Sequence, residues 1–320
     1  MKRMMNRFVM MMACVMILAV PVFGTQTLVP GGTVIGLDMK GDQVTVAAFD
    51  EAQSPCRDAG LRVGDEILTI DGYTIDSAVD IRHALDRAEG AVELVIRRGG
   101  QERAVSLSPL VTAEGPRLGI YLRQGVTGIG TVTFYDPATG CFGTLGHGVN
   151  EQNGGLLDMT TGSALPAQVV DVDRGRCGSP GQLRGQVGDY AVGSLARNTQ
   201  QGVFGKFHGA IAGEAIPVGT AGEVHTGEAT IYSTVDDGGV RAYSIKILKV
   251  YAPDRPDGRN LLLQVTDPAL LKATGGIVQG MSGSPIIQDG KLVGAVTHVL
   301  VNDPTRGYGI FIENMLDAAS

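Results

Sequence analysis

Along most of this chain, apolar and polar residues alternate in short bursts broken by glycine. That is the period of half-buried strands rather than of helices. VTVAAFD (44–50) alternates over its length, and YSIKILKVYAP (243–253) and NLLLQVTD (260–267) are further strands. AVELVIRRGGQERAVSLSPL (91–110) predicts two strands around Gly99–Gly100, and GIGTVTFYDPATGCFGTLGHGV (128–149) a hairpin turning at Asp136–Pro137. PIIQDGKLVGAVTHVLVNDPTRGYGIFI (285–312) predicts two more hairpins, through Asp289–Gly290 and Asn302–Asp303–Pro304. One clear helix interrupts the series. AVDIRHALDRAEG (78–90) has apolar residues at helical spacing and stops at Gly90. Before it, AGLRVGDEILTIDG (59–72) reads as a helical turn, a Gly-Asp turn, a strand and an Asp71–Gly72 hairpin signal.

The pattern divides the chain. Residues 29–110 mix short strands with one helix; residues 111–320 are short strands with glycine-rich turns, the signature of a β-barrel or sandwich. The fold class is therefore mainly β. Glycine supplies 47 of 320 residues with no collagen-like period, which fits many tight turns. Residues 1–24, MKRMMNRFVMMMACVMILAVPVFG, stand apart. Lys2, Arg3 and Arg7 precede an apolar run from Phe8 to Phe23, and Val22 and Gly24 are small residues before a cut. This predicts a signal peptide, or a retained membrane anchor, and places the remainder outside the cytoplasm.

Charge and cysteines mostly exclude. The net charge is −7, and no basic patch interleaved with aromatics is present, which argues against nucleic acid. Beyond the leader stand Cys56, Cys141 and Cys177, an odd number that describes no disulfide framework; Cys141–Cys177 is the one pair worth considering. Nothing has zinc spacing, so no metal or other cofactor is expected.

GIVQGMSGSPIIQDG (276–290) sets two serines among glycines. A serine hydroxyl is a poor nucleophile unless a base takes its proton, a third group orients that base, and donors receive the oxyanion. The β region offers His147, His208, His225 and His298. His147 lies between glycines in TLGHGV, where small neighbours permit close approach; His298, in GAVTHVLV, is the other candidate base, and His208 and His225 read as turn residues. GMSGSP matches the G-x-S-G-x-P frame of trypsin-like serine peptidases. In that frame Ser282 is the nucleophile, the N–H groups of Gly280 and Ser282 form the oxyanion hole, and Ser284 bonds locally.

Two family resemblances follow from these motifs. The segment AGLRVGDEILTIDG resembles the corresponding part of bacterial PDZ domains over about 80 residues. That resemblance implies peptide binding by strand addition, with Ile35, Gly36 and Leu37 of GGTVIGL holding a peptide carboxylate; packing against the neighbouring domain is the alternative role. TLGHGV, VTDP and GGIVQGMSGSPIIQDGKLVGAVTHVLVNDPTRGYGIFIENML, with a PDZ domain before them, resemble the stage IV sporulation protein B peptidases over residues 28–318. This resemblance implies a catalytic set of His147, Asp267 and Ser282. Spacing alone does not choose Asp267, which also suits the N-cap of a helix PALLKATG. It further implies self-cleavage near the N-terminus and cutting of a membrane protein's exposed domain in the space between the membranes around a spore, under PDZ control. A non-catalytic PDZ scaffold and a general quality-control protease remain as rival readings.

Overall fold

The computed structural model describes residues 26–151 and 154–320, so the leader expected at 1–24 lies outside the described residues. The first half of the chain runs β1 (Thr27–Pro30), β2 (Val34–Phe49), α1 (Pro55–Asp58), β3 (Glu66–Ile70), β4 (Tyr73–Thr74), α2 (Ala78–Asp86), β5 (Val92–Arg98), β6 (Gln101–Leu107), β7 (Leu110–Thr112), β8 (Gly115–Arg117), β9 (Ile120–Tyr135) and β10 (Cys141–Thr144). It continues with β11 (Met159–Asp173), β12 (Gln182–Val187), β13 (Gly193–Thr199), β14 (Gly202–Phe207), β15 (Ile216–Pro217), β16 (Gly227–Ser233), β17 (Arg241–Val250), β18 (Leu261–Val265), α3 (Pro268–Thr274), β19 (Pro285–Gln288), β20 (Lys291–Leu300), β21 (Asp303–Phe311) and α4 (Ile312–Ala319).

Two closed barrels result. In the first, β9 pairs with β10, then β14, β13, β11 and β2 follow in turn, and β2 pairs back onto β9. In the second, the order is β16-β17-β18-β21-β20-β19, with β19 returning to β16. Closure leaves neither barrel with a bare sheet edge. Each has its own core: Ile35, Leu37, Val132, Phe142 and Leu195 in the first, Ile231, Ile245, Leu263, Val278 and Val296 in the second. Leu28, Phe134, Phe204, Ile310 and Met315 form a further cluster that includes residues of both barrels and α4.

The PDZ module is not placed before the first barrel; it is inserted into it. Val34–Met39 of β2 pair with Val126–Thr131 of β9 in the barrel, and Val44–Phe49 pair with Ile120–Gln124 in the PDZ module. The register shifts between these two stretches. Gly125, at φ +84, sits at the shift, and a Cβ there would lie 1.9 Å from the Met39 carbonyl oxygen, so only glycine fits. The PDZ core comprises Val44, Val46, Ile67, Ile81, Leu85, Leu94 and Leu118. Its buried Asp65, from the Gly-Asp turn, takes two hydrogen bonds from Arg98 at 2.7 and 2.6 Å. Ser54 and Ser77 cap α1 and α2. The division at 110/111 expected from the sequence therefore needs correction. Residues 34–39 belong to the first barrel, and the PDZ module extends to Gln124.

All three described cysteines are free thiols, so Cys141 and Cys177 are not bridged. Cys56 is fully buried, and burial pushes its thiol up to about 12.

Candidate active site

Ser282 and His147 meet at a cavity of about 430 Å³ between the two barrels. His147 follows β10 in a turn where Leu145 and Gly146 both have φ +69. Both flanking glycines are demanded by packing. A Cβ on Gly146 would lie 2.9 Å from Thr297 Cγ2, and one on Gly148 would lie 2.4 Å from Leu156 Cδ1. The serine turn is equally constrained. Gly280 has φ +96, and Gly283 has φ +97 with its would-be Cβ 1.9 Å from the Thr131 carbonyl oxygen. Ser284 is buried and donates to Ser233 Oγ at the end of β16 at 3.1 Å, a bond to another strand rather than the local turn bond expected, while Ser282 is the serine that lines the cavity.

One residue outside the motifs ties the serine and histidine turns together. Thr131, buried in β9, donates its N–H to the Ser282 carbonyl at 2.9 Å and its hydroxyl to the Gly280 carbonyl at 2.7 Å. Its own carbonyl accepts from Thr144 Oγ1 at 2.6 Å and from the Leu145 N–H at 3.4 Å, just before His147. Thr133 repeats the device by donating to the Gly283 carbonyl at 2.8 Å. The sequence held a signal for this pair, the alternating threonines of GTVTF on an otherwise apolar strand.

The His147 ring contacts the Gly148 carbonyl through Nδ1 at 2.9 Å. A proton on Nδ1 donated to that carbonyl leaves the Nε2 lone pair available, the form a general base needs. Burial holds the His147 imidazole below its ordinary pKa, with the Gly148 carbonyl pulling weakly the other way. The Ser282 hydroxyl donates to the Thr297 carbonyl at 2.7 Å, so it must rotate toward the imidazole before attack. The N–H groups of Gly280 and Ser282 have no acceptor among the described residues and belong to residues that line the cavity. They are the expected pair of oxyanion donors.

Asp267 is placed elsewhere. Its carboxylate accepts from the Ala269 and Leu270 N–H groups at 2.8 and 3.1 Å, capping α3, and from the Ser244 N–H at 3.3 Å. It does not line the cavity and makes no contact with His147 in this arrangement. The helix-capping role is the one the geometry shows. What stands beside His147 is a second imidazole, His298, with ring centroids 5.1 Å apart. His298 Nδ1 is buried without a hydrogen-bond partner among the described residues, and its pKa is lowered to about 4, chiefly by burial and then by His147 and Arg259. The loop after His147 is pinned by Asn198, whose amide donates to the Val149 and Leu157 carbonyls and accepts from the Val149 N–H.

Ile35, Gly36 and Leu37 do not form a carboxylate-binding loop. They lie in β2 between β11 and β9, and a Cβ on Gly36 would strike Val187 Cγ1 at 2.5 Å. Their backbone groups serve the barrel ladder. The unpaired PDZ edge is instead Ile120–Gln124, which among the described strands pairs only with β2 and follows Leu118–Gly119. Its signal, LGIYLRQ (118–124), lies beyond the boundary at which the sequence pattern ended the module.

Comparison with known proteins gives two family matches, which divide the chain between residues 112 and 114. Residues 114–316 match the SpoIVB peptidase S55 family and residues 39–112 match the PDZ domain of tricorn protease. Serine protease HTRA1 of Xenopus laevis is 38% identical over 56 residues, 18% of this chain and 12% of the relative, and its Xenopus tropicalis counterpart is 36% identical over the same length. The chain thus spans a small part of these relatives. Among solved structures, the PDZ domain of the SdrC-like protein from Listeria monocytogenes is 24% identical with a TM-score of 0.22, covering 25% of this chain and 87% of that one. The Rv3671c protease of M. tuberculosis, in an inactive form, is 15% identical with a TM-score of 0.35, covering 59% and 81%. The HtrA-type protease AlgW with a decapeptide is 11% identical with a TM-score of 0.38, covering 89% and 62%. The family match spans well over half the sequence and includes both catalytic turns: the chain belongs to the SpoIVB peptidase S55 family of serine peptidases and carries a PDZ domain.

Proposed function

We propose that this chain is a serine endopeptidase in which His147 and Ser282 carry out peptide hydrolysis. His147 Nε2 removes the Ser282 proton as Oγ attacks the peptide carbonyl. The Gly280 and Ser282 N–H groups receive the oxyanion, the imidazolium returns its proton to the leaving amine, and water then releases the acyl group. The observation that carries this reading is the shared cavity, where Ser282, His147 and two unengaged N–H groups meet. Asp267 enters the catalytic set only if α3 gives up its cap.

The substrates proposed are the chain's own N-terminal region and the exposed domain of a membrane protein, outside the cytoplasm. Such a cut would release a second, membrane-embedded protease that processes a sigma factor in spore formation. Family membership and the leader-like residues 1–24 support this reading, and the open Ile120–Gln124 edge supports PDZ control through peptide binding.

The test follows the full chain over time by intact mass, as wild type, Ser282→Ala and Ser284→Ala. The expected result is N-terminal shortening of wild type and Ser284→Ala alone. Equal shortening of all three would show that another protease is responsible. A chain that neither shortens nor reacts with a fluorophosphonate would favour the PDZ scaffold.

A further inference from the structure

Resting on Ser282 as nucleophile, we infer that this enzyme cuts after short aliphatic residues (valine, alanine or leucine) and excludes charged and aromatic side chains at that position. A carbonyl oxygen held by the Gly280 and Ser282 N–H groups places the preceding side chain against the 276–280 turn and the neighbouring stretch of β20. That wall carries no charge: Ile277 and Val278, 3% and 1% exposed, and half-buried Val299 supply its apolar part, and Gln279, Thr297 and His298 line it beside them. The residues lining the cavity include no aspartate, glutamate, lysine or arginine. A charged side chain entering there loses its water and meets no opposite charge.

Depth is limited as well. A Cβ on Gly307 of β21 would lie 2.6 Å from Ile277 Cδ1 and 2.5 Å from the His298 carbonyl oxygen, so the isoleucine fills the space behind the wall. Thr297, beside it, is held by its hydroxyl to the Tyr308 carbonyl at 3.2 Å. A side chain of three or four carbons fits against this floor, while an aromatic ring needs the volume that Ile277 occupies.

The experiment uses the full chain and peptidyl diphenyl phosphonates that differ only in the side chain before the phosphorus: valine, leucine, phenylalanine, arginine or aspartate. A fluorophosphonate reports the reactivity of the serine itself. Valine and leucine probes are expected to label Ser282 at least ~30-fold faster than arginine or aspartate, within the range that pocket fit supplies. In Val299→Gly, which opens the half-exposed rim, the phenylalanine probe is expected to gain ~10-fold relative to valine. Ile277→Ala deepens the floor and is expected to shift the order the same way. Fastest labelling by arginine or aspartate, or equal labelling by phenylalanine and valine in wild type, overturns the inference alone. Failure of the fluorophosphonate to label wild type overturns the serine reading, and the inference with it.

Discussion

Thr131 spends four hydrogen-bonding contacts on two turns that are far apart in sequence, so its removal separates positioning from chemistry. Thr131→Val keeps shape and backbone but strips the bond to the Gly280 carbonyl, leaving that oxygen unsatisfied. The expected outcome is a fall in kcat of ~10–100-fold with KM little changed, the pattern of a loosened oxyanion donor. Ser284→Ala removes only the bond to Ser233 and should cost about 1 kcal/mol of stability while activity persists, as read by thermal unfolding beside fluorophosphonate labelling. The histidines set the acid limit. The folded state favours neutral His147 and His298, whereas the unfolded chain protonates near 6.5, so protons favour unfolding. Stability is therefore complete above about 6.5 and is lost as pH falls toward the His298 value of about 4. The acid limb of kcat/KM should lie below 6.5, and His298→Phe should flatten the stability loss in that window. The meeting of Ser282 and His147 at one cavity was legible because glycines bracket both: Gly146, Gly280 and Gly283 take positive φ, and a Cβ on Gly148 would lie 2.7 Å from the Thr199 carbonyl oxygen. Thr131 was not legible, because nothing in GTVTF says which carbonyls its hydroxyls will meet.

Among the elements, α3 shows how one residue type can satisfy two readings. Asp267 at its start and Gly275 at its end, the latter at φ +78, bracket PALLKAT as a helix in the sequence and in the fold. Asp267→Asn retains a capping acceptor and removes the charge. With the geometry described, kcat stays within ~3-fold, and Asp267→Ala costs about 1 kcal/mol through the lost cap. A fall near ~10⁴-fold in Asp267→Asn would instead mean that the helix end reaches the imidazole in the working enzyme. The strands of the second barrel were legible because they alternate strongly, as in β17, or form a continuous apolar run, as in β20. β11 and β12 were not: MTTGSALPAQVVDVD alternates poorly and remains largely exposed along its length. Their order comes from pairing with β2, β13 and each other, a tertiary cause that local pattern does not carry. The PDZ boundary failed for a related reason. β2 and β9 each run 16 residues through two cores, and Gly41–Asp42 and Gly125 at the crossing mark a register shift rather than a chain reversal.

At the scale of the molecule, those two strands decide what can be taken apart. Removing residues 1–111 would take β2 out of the first barrel, strip β1 from β9, and expose the unpaired edges of β9 and β11. The expected product is insoluble and unreactive toward a fluorophosphonate. Excising residues 42–124 and closing Gly41 to Gly125 with a tight turn keeps the barrel pairs from Val34 to Met39, so cooperative unfolding and Ser282 labelling should survive. The PDZ module is thus a cassette spliced into the enzyme rather than a bead strung beside it, and it cannot swing on a linker. A peptide laid along Ile120–Gln124 grips the same ribbon that carries Thr131 some seven residues on, about 23 Å at strand rise. The edge open to a peptide and the residue that moors the serine turn are two ends of one strand.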